Sequence, residues 1–147
     1  MRATVNIKKL RPGAVVPTYG SPGAAGADLY ACLDQPVSIA PGETAMIMTG
    51  LAMELPAGHA GLVFARSGLA TKKGLAPANK VGVVDSDYRG EVMVGLHNHG
   101  TEAQTILPGE RIAQLVVVPV VLCDFILRDT LEETDRGEGG FGSTGRL

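Results

Sequence analysis

Residues 81–96 read Val81-Gly-Val-Val-Asp85-Ser-Asp-Tyr88-Arg-Gly-Glu-Val-Met-Val-Gly-Leu96. Two apolar, β-prone runs, 81–84 and 92–96, flank a polar stretch too rich in turn-forming residues to continue either of them. The pattern predicts a hairpin with a longer loop. An apolar strand that ends in Asp85 holds this carboxylate rigidly at the mouth of the loop, with Tyr88 close behind it.

The same pattern extends outward in both directions. Residues 3–10 alternate, with Val5 and Ile7 on one face and Asn6 and Lys8 on the other, as in a half-buried strand. Strand-like runs near 27–32, 36–40, 43–55 and 60–65 are each bounded by Gly or Pro. Residues 112–118 and 120–127 are strongly β-prone and are interrupted at Pro119. Residues 11–26 carry Pro12, Gly13, Pro17, Gly20, Pro22, Gly23 and Gly26 and read as loop. Only 67–73 has helical composition. Many short strands at close spacing predict an all-β fold, a distorted jelly-roll-like β-barrel with one short helix, over residues 1–128.

From Asp129 the chain reads DTLEETDRGEGGFGSTGRL. Such a segment cannot bury enough apolar surface to offset its ordering entropy, so 129–147 is expected to be a flexible Gly-rich C-terminal segment of the same domain. It nevertheless carries Phe141 between Arg136 and Arg146, which an inert tail would not need.

Composition excludes several classes. The chain has 147 residues, 45% hydrophobic and 19% charged, enough for one core. A net charge of −2 leaves no nucleic-acid footprint. The longest apolar run, 115–123, is about half of a membrane span, and the N-terminus has no signal-peptide pattern. Cys32 and Cys123 form no C-x-x-C, which points to reduced thiols in the cytoplasm rather than a disulfide or zinc scaffold.

Some motif matches fail on context. Residues 137–142 match G-x-G-x-x-G, but too little chain follows them to form the helix that a dinucleotide site requires. Residues 85–90 resemble the start of an EF-hand loop, yet Leu96 stands where calcium needs a bidentate Glu. His97 and His99 read as a polar strand end rather than a ligand pair. Neither G-x-S-x-G nor H-E-x-x-H occurs.

Three polar clusters remain. Arg66-Ser67-Gly68, where a strand meets a helical turn, offers charge, a hydroxyl and free N–H groups to a phosphate. The alternative is that Ser67 caps the helix and Arg66 is solvated. Asp85 with Tyr88 offers a rigid carboxylate that can take a proton from water; the alternative is an ordinary Asx turn. The Gly-rich tail allows the close backbone approach of a phosphate cradle, or is simply a disordered end. Gln114, between apolar neighbours in a strand, reads as an inward-facing amide.

Taken together, these segments resemble the trimeric, all-β deoxyuridine triphosphatases. Five motifs occur in order: Ala25-Gly-Ala-Asp28-Leu-Tyr-Ala, Arg66-Ser-Gly-Leu-Ala, Gly82-Val-Val-Asp85-Ser-Asp-Tyr88-Arg-Gly, Pro108-Gly-Glu-Arg-Ile-Ala-Gln114-Leu and Arg136-Gly-Glu-Gly-Gly-Phe141-Gly-Ser-Thr-Gly. The resemblance implies hydrolysis of dUTP to dUMP and pyrophosphate, which limits uracil in DNA and supplies dUMP for thymidylate synthesis. Asp85 would activate the water that attacks the α-phosphorus. Mg2+ would be held by triphosphate oxygens and waters rather than by protein ligands, with Asp28 either supporting its water shell or serving a structural role.

Main-chain groups of Gly82, Val83, Val84 and Met93, with the Asn79 amide, would complement uracil. Tyr88 would lie under the deoxyribose and exclude a 2′-hydroxyl. Arg66, Ser67, Gly68 and Gln114 would hold phosphates. Arg136, Gly142, Ser143 and Thr144 would arrive with the tail as a lid, and Phe141 would stack on the base. The resemblance further implies a homotrimer with sites at subunit interfaces, with no nucleic-acid or membrane partner. Two other readings keep the fold: a dCTP deaminase, against which Asp85 and Tyr88 argue, and a non-catalytic dUTP-binding regulatory trimer, against which Asp85, Gln114 and Arg136 argue.

Overall fold

Val92, Val94 and Leu96 are buried while Met93 faces outward, and this alternation places their strand on the core. The computed structural model describes residues 3–141. Along these run β1 (Asn6–Lys9), β2 (Thr18–Tyr19), β3 (Ala27–Tyr30), β4 (Val37–Ile39), β5 (Thr44–Glu54), β6 (His59–Phe64), α1 (Ser67–Lys73), β7 (Leu75–Pro77), β8 (Gly82–Val84), β9 (Glu91–Asn98), β10 (Gln104–Ile106) and β11 (Arg111–Pro119).

The strands form a four-stranded sheet, β1-β5-β9-β7, a five-stranded sheet, β2-β3-β11-β6-β8, and a two-stranded ribbon, β10-β4. Every pairing is antiparallel. The result is an all-β, jelly-roll-like arrangement whose sheets do not close into one continuous barrel. Leu29 and Ile112 of the larger sheet and Ile47, Leu51 and Leu96 of the smaller are fully buried in one core, sealed by Ile39 and Ile106 of the ribbon.

Among the described residues two polar side chains are buried with them, and both are satisfied. Thr49 donates to the Val92 carbonyl at 2.6 Å. Asn98 donates to Ile39 O at 2.9 Å and Glu102 O at 2.8 Å, and accepts from Gly100 N at 2.9 Å. A buried amide bonded on every side specifies one loop arrangement, because any other leaves it unpaired.

The strands predicted up to residue 119 and the helix over 67–73 are present, with β2, β7 and β10 added to them. Two expectations are corrected. The runs 81–84 and 92–96 do not form a hairpin: β8 pairs with β6, while β9 pairs with β5 and β7. Residues 85–90 are long enough to let the strands part, and the buried face of β9 is better used against long β5. Residues 120–127 form no strand. Pro119 ends β11, and beyond it Phe125 is 98% exposed. A β-prone run needs an unpaired edge to join, and among the described residues none pairs with it.

Candidate functional site

Among the described residues β8 is the last strand of its sheet, so one of its edges carries backbone N–H and C=O groups with no described strand beside them. A pocket of about 400 Å³ opens between this edge and the outer face of β5 and β9. Seven sequence-predicted residues line it together: Asn79, Gly82, Val83, Val84, Asp85, Tyr88 and Met93. The volume is of nucleoside-binding size. A bare strand edge is a fixed donor and acceptor array, suited to reading the edge of a planar base.

The pocket has two ends. At one, the Ala78 N–H donates to Gly95 O at 2.8 Å and fixes the chain that carries Asn79. At the other, exposed Asp85 stands at the end of β8 and Tyr88 folds back. The Tyr88 hydroxyl donates to Glu91 O at 2.9 Å. A Cβ on Gly90 would overlap the Tyr88 ring, so this glycine makes room for it.

Glu91 anchors the loop. Its carboxylate pairs with Arg11 and accepts the Gly50 N–H at 2.8 Å. Gly50 has φ 68°, a left-handed conformation that opens the register shift between Met48 and Ala52. Hydrogen bonds to the Cys32 sulfur and to Glu91 raise the pKa of Arg11, so it stays charged.

The phosphate-type candidates form a second cluster. Asp28 on β3 accepts from Arg66 Nε at 2.9 Å and from Arg111 Nη1 at 3.3 Å. Arg66 also donates to Arg111 O at 3.4 Å, and Gln114 donates to Ala65 O at 2.9 Å. A Cβ on Gly26 would overlap the Gln114 amide, so the first and fourth motifs interlock. Arg66, not Ser67, occupies the helix cap position, and it makes no side-chain cap bond. The solvated Arg66 and capping Ser67 of the plain sequence reading are therefore not what the fold contains. Ser67 and Gly68 are exposed beside this cluster.

The two clusters are separated by the length of one strand. Gly82 is opposite Val63 and Val84 opposite Gly61, so Asp85 leaves β8 near the start of β6, whereas Arg66 follows its end. Six residues of extended chain put them roughly 20 Å apart.

In the tail, Arg136 Nε donates to Gly139 O at 2.8 Å, and Phe141 is exposed with φ 49°. Gly142, Ser143 and Thr144 lie outside the described residues. Among the described residues no group of three or more His, Cys, Asp or Glu could hold a metal ion, and no helix is long and apolar enough to cross a membrane. Sequence reasoning did not single out Arg11, Met46, Glu91, Gly95 or Arg111. Only a charged Glu91 opening an otherwise apolar strand gave any signal.

Fold and pocket define an all-β, jelly-roll-like protein with a nucleoside-sized site at a bare strand edge. The family model described as dUTPase matches residues 13–145. The deoxyuridine 5'-triphosphate nucleotidohydrolase of Desulfitobacterium hafniense is 59% identical over 131 residues, 88% of this chain and 87% of its own. That of Burkholderia cenocepacia is 50% identical over 147 residues, 99% of each chain. Among solved structures, the dUTPase of Staphylococcus bacteriophage 80alpha with dUPNHPP superposes with a TM-score of 0.89 at 29% identity, covering 97% of this chain and 98% of that one. The dUTPase of phage phi11 of S. aureus, in which a structural Mg(II) ion is coordinated, matches at TM-score 0.80 and 24% identity over 88% of this chain and 99% of its own, a likeness of fold. The chain belongs to the dUTPase family.

Proposed function

We propose that the chain hydrolyses dUTP to dUMP and pyrophosphate. The observation that carries this reading is the convergence of Asp85, Tyr88, Asn79 and the bare edge of β8 on one pocket. Uracil has one N–H donor between two carbonyl acceptors, and main-chain groups of Gly82, Val83, Val84 and Met93 with the Asn79 amide complement it. Cytosine leaves a buried group unpaired, which discriminates by orders of magnitude. Tyr88, held by Glu91 O, is the ring under the deoxyribose.

Asp85 takes a proton from water as the water oxygen bonds to the α-phosphorus. The bridging P–O bond to the β-phosphate breaks, and pyrophosphate departs with the electron pair. Such chemistry is chiefly positioning and charge neutralisation. Arg66, Ser67, Gly68 and Gln114 bind phosphate oxygens, with Asp28 holding Arg66 in place. The donor set suits a magnesium ion carried by the triphosphate and its waters; when bound, Mg2+ neutralises phosphate charge. Residues 129–147 act as a lid on the domain formed by 1–128: Arg136, Gly142, Ser143 and Thr144 close on the phosphates and Phe141 on the base.

A homotrimer accounts for the separation of Asp85 from Arg66, because a neighbour's Arg66 completes each Asp85 pocket. The exposed apolar run with Val121, Leu122, Phe125 and Leu127 supports the same assembly, since burial against another copy removes it from water. The setting is cytoplasmic, where nucleotides and reduced thiols coexist. Pyrophosphate release with dUTP, dTTP, dCTP and UTP side by side, with and without chelator, tests the reading. Release from dUTP alone is expected. Ammonia release from dCTP, or dUTP binding without release, would replace it.

A further inference from the structure

Arg11, Gly50 and Glu91 close a ring of contacts at the start of β9. The register shift between Met48 and Ala52 leaves residues 49–51 of β5 opposite Val92 alone. Such a bulge takes backbone groups out of the ladder. The Gly50 N–H donates instead to the Glu91 carboxylate at 2.8 Å. Gly50 O accepts from Leu10 N at 2.8 Å, which ties down the residue beside Arg11. Arg11 then reaches both carboxylate oxygens of Glu91 through its two Nη atoms. Three segments distant in sequence thus meet on one side chain. That side chain is only 16% exposed, and a carboxylate largely out of water is costly unless it is paired.

The same residue carries the acceptor for Tyr88. The main-chain oxygen of Glu91 receives the Tyr88 hydroxyl at 2.9 Å, and both residues line the pocket. Glu91 is therefore bonded to the N-terminal segment through its side chain and to the loop through its main chain. A ring tethered at its hydroxyl follows its acceptor, so a shift of Glu91 is passed on to Tyr88.

We propose, resting on the function just given, that Arg11 is a positioning residue of the dUTP site, which clamps Glu91 so that the Tyr88 ring stands in one place beside the sugar. It does so without lining the pocket itself. The planar fork of an arginine suits the task, because two parallel bonds fix the orientation of a carboxylate where an ammonium would fix only its distance.

The chain has three tyrosines, Tyr19, Tyr30 and Tyr88, so fluorotyrosine labelling reads the ring directly by fluorine NMR, with Tyr88→Phe assigning its signal. Arg11→Met keeps the apolar stem and removes the fork. In this variant the Tyr88 signal should move further than those of Tyr19 and Tyr30. KM for dUTP should rise about two- to fivefold, the scale of a part-exposed ion pair, with kcat less affected because Asp85 stays at the end of β8. The ratio of kcat/KM for dUTP to that for UTP should fall. Glu91→Gln keeps an acceptor for the Gly50 N–H but loses the charge, and should behave alike. Arg11→Lys keeps the charge and loses the fork, and should fall between Arg11→Met and the parent. In a Tyr88→Phe background Arg11→Met should raise KM little further, because residues that act through one contact are not additive. Thermal melts monitor folding; if Arg11→Met does not fold, Arg11→Lys and Glu91→Gln carry the same test. An unmoved Tyr88 signal overturns this inference alone, as does an equal rise in KM in the two backgrounds. A parent protein that does not hydrolyse dUTP overturns it together with the function on which it rests.

Discussion

Arg66 and Asp85 flank β6 at opposite ends, one following Phe64 and the other level with the strand's start through β8. No rotamer change closes a gap of roughly 20 Å. If the two serve one substrate, they come from different copies of the chain. Asp85→Asn and Arg66→Ala proteins, each inactive alone, should regain activity when unfolded together and refolded. Random mixing restores about a quarter of the sites when each site draws the two residues from two chains. Mixtures that stay inactive while affinity capture of one tagged variant brings down the other would mean that each chain builds its own site.

Asp85→Asn keeps the shape of the side chain and removes its basicity. Turnover of dUTP should fall by about 10²–10⁴-fold, the usual contribution of a general base. Binding of a non-hydrolysable dUTP analogue, followed by calorimetry, should stay within a few fold. A variant that turns over at the parental rate would assign the proton transfer elsewhere.

Asp28→Asn tests the second cluster. Asp28 has 14% of its side chain exposed and answers two arginines, Arg66 at 2.9 Å and Arg111 at 3.3 Å. The amide keeps one acceptor and loses the charge, leaving two guanidinium groups close together. Charge-assisted bonds of this kind contribute about 1.5–3 kcal/mol, reduced here by the solvent around Arg111. Denaturant unfolding should show a loss at or below the low end of that range, and KM for dUTP should rise as Arg66 loses its fixed position. Unchanged stability and KM would make the pair incidental.

These residues also mark what was readable in the sequence and what was not. The strands were legible because alternation and Gly or Pro punctuation are local, and α1 because 67–73 alone lacks a β-branched run. Pairing partners were not. The hairpin reading of 81–96 failed because the choice of β6 over β9 as partner for β8 depends on which faces meet in the core. The β-prone run 120–127 was misread for the complementary reason: propensity describes a strand only when an edge receives it. Asn79, Gly82, Val83, Val84, Asp85 and Tyr88 stand in one short stretch and line one pocket, whereas Glu91 anchors the loop through a contact distant in sequence, with Gly50.

The tail carries a prediction of its own. Removing residues 135–147 should leave the melting temperature nearly unchanged, because exposed Arg136 and Phe141 contribute nothing to the core. It should lower dUTP turnover sharply. Phe141→Ala should be a milder version, losing roughly 1–3 kcal/mol of transition-state stabilisation, the scale of one base–aromatic stack. Parental kcat/KM in the truncated protein would remove the lid from the mechanism.

Gly90→Ala separates the placement of Tyr88 from its presence. The Tyr88 hydroxyl donates to Glu91 O at 2.9 Å, and the ring lies where a Cβ on Gly90 would stand. An added methyl forces the ring away and breaks that bond, while Asp85 remains fixed at the end of β8. A displaced ring no longer closes the space beside the sugar. The expected result is a higher KM for dUTP together with a smaller preference for dUTP over UTP, because the 2′-hydroxyl now finds room. Tyr88→Phe keeps the ring but loses the hydroxyl and should fall between Gly90→Ala and the parent. Parallel kinetics with dUTP and UTP, measured as kcat/KM for each, distinguish the cases. If Gly90→Ala lowers both by the same factor, the ring supports the loop without selecting the sugar.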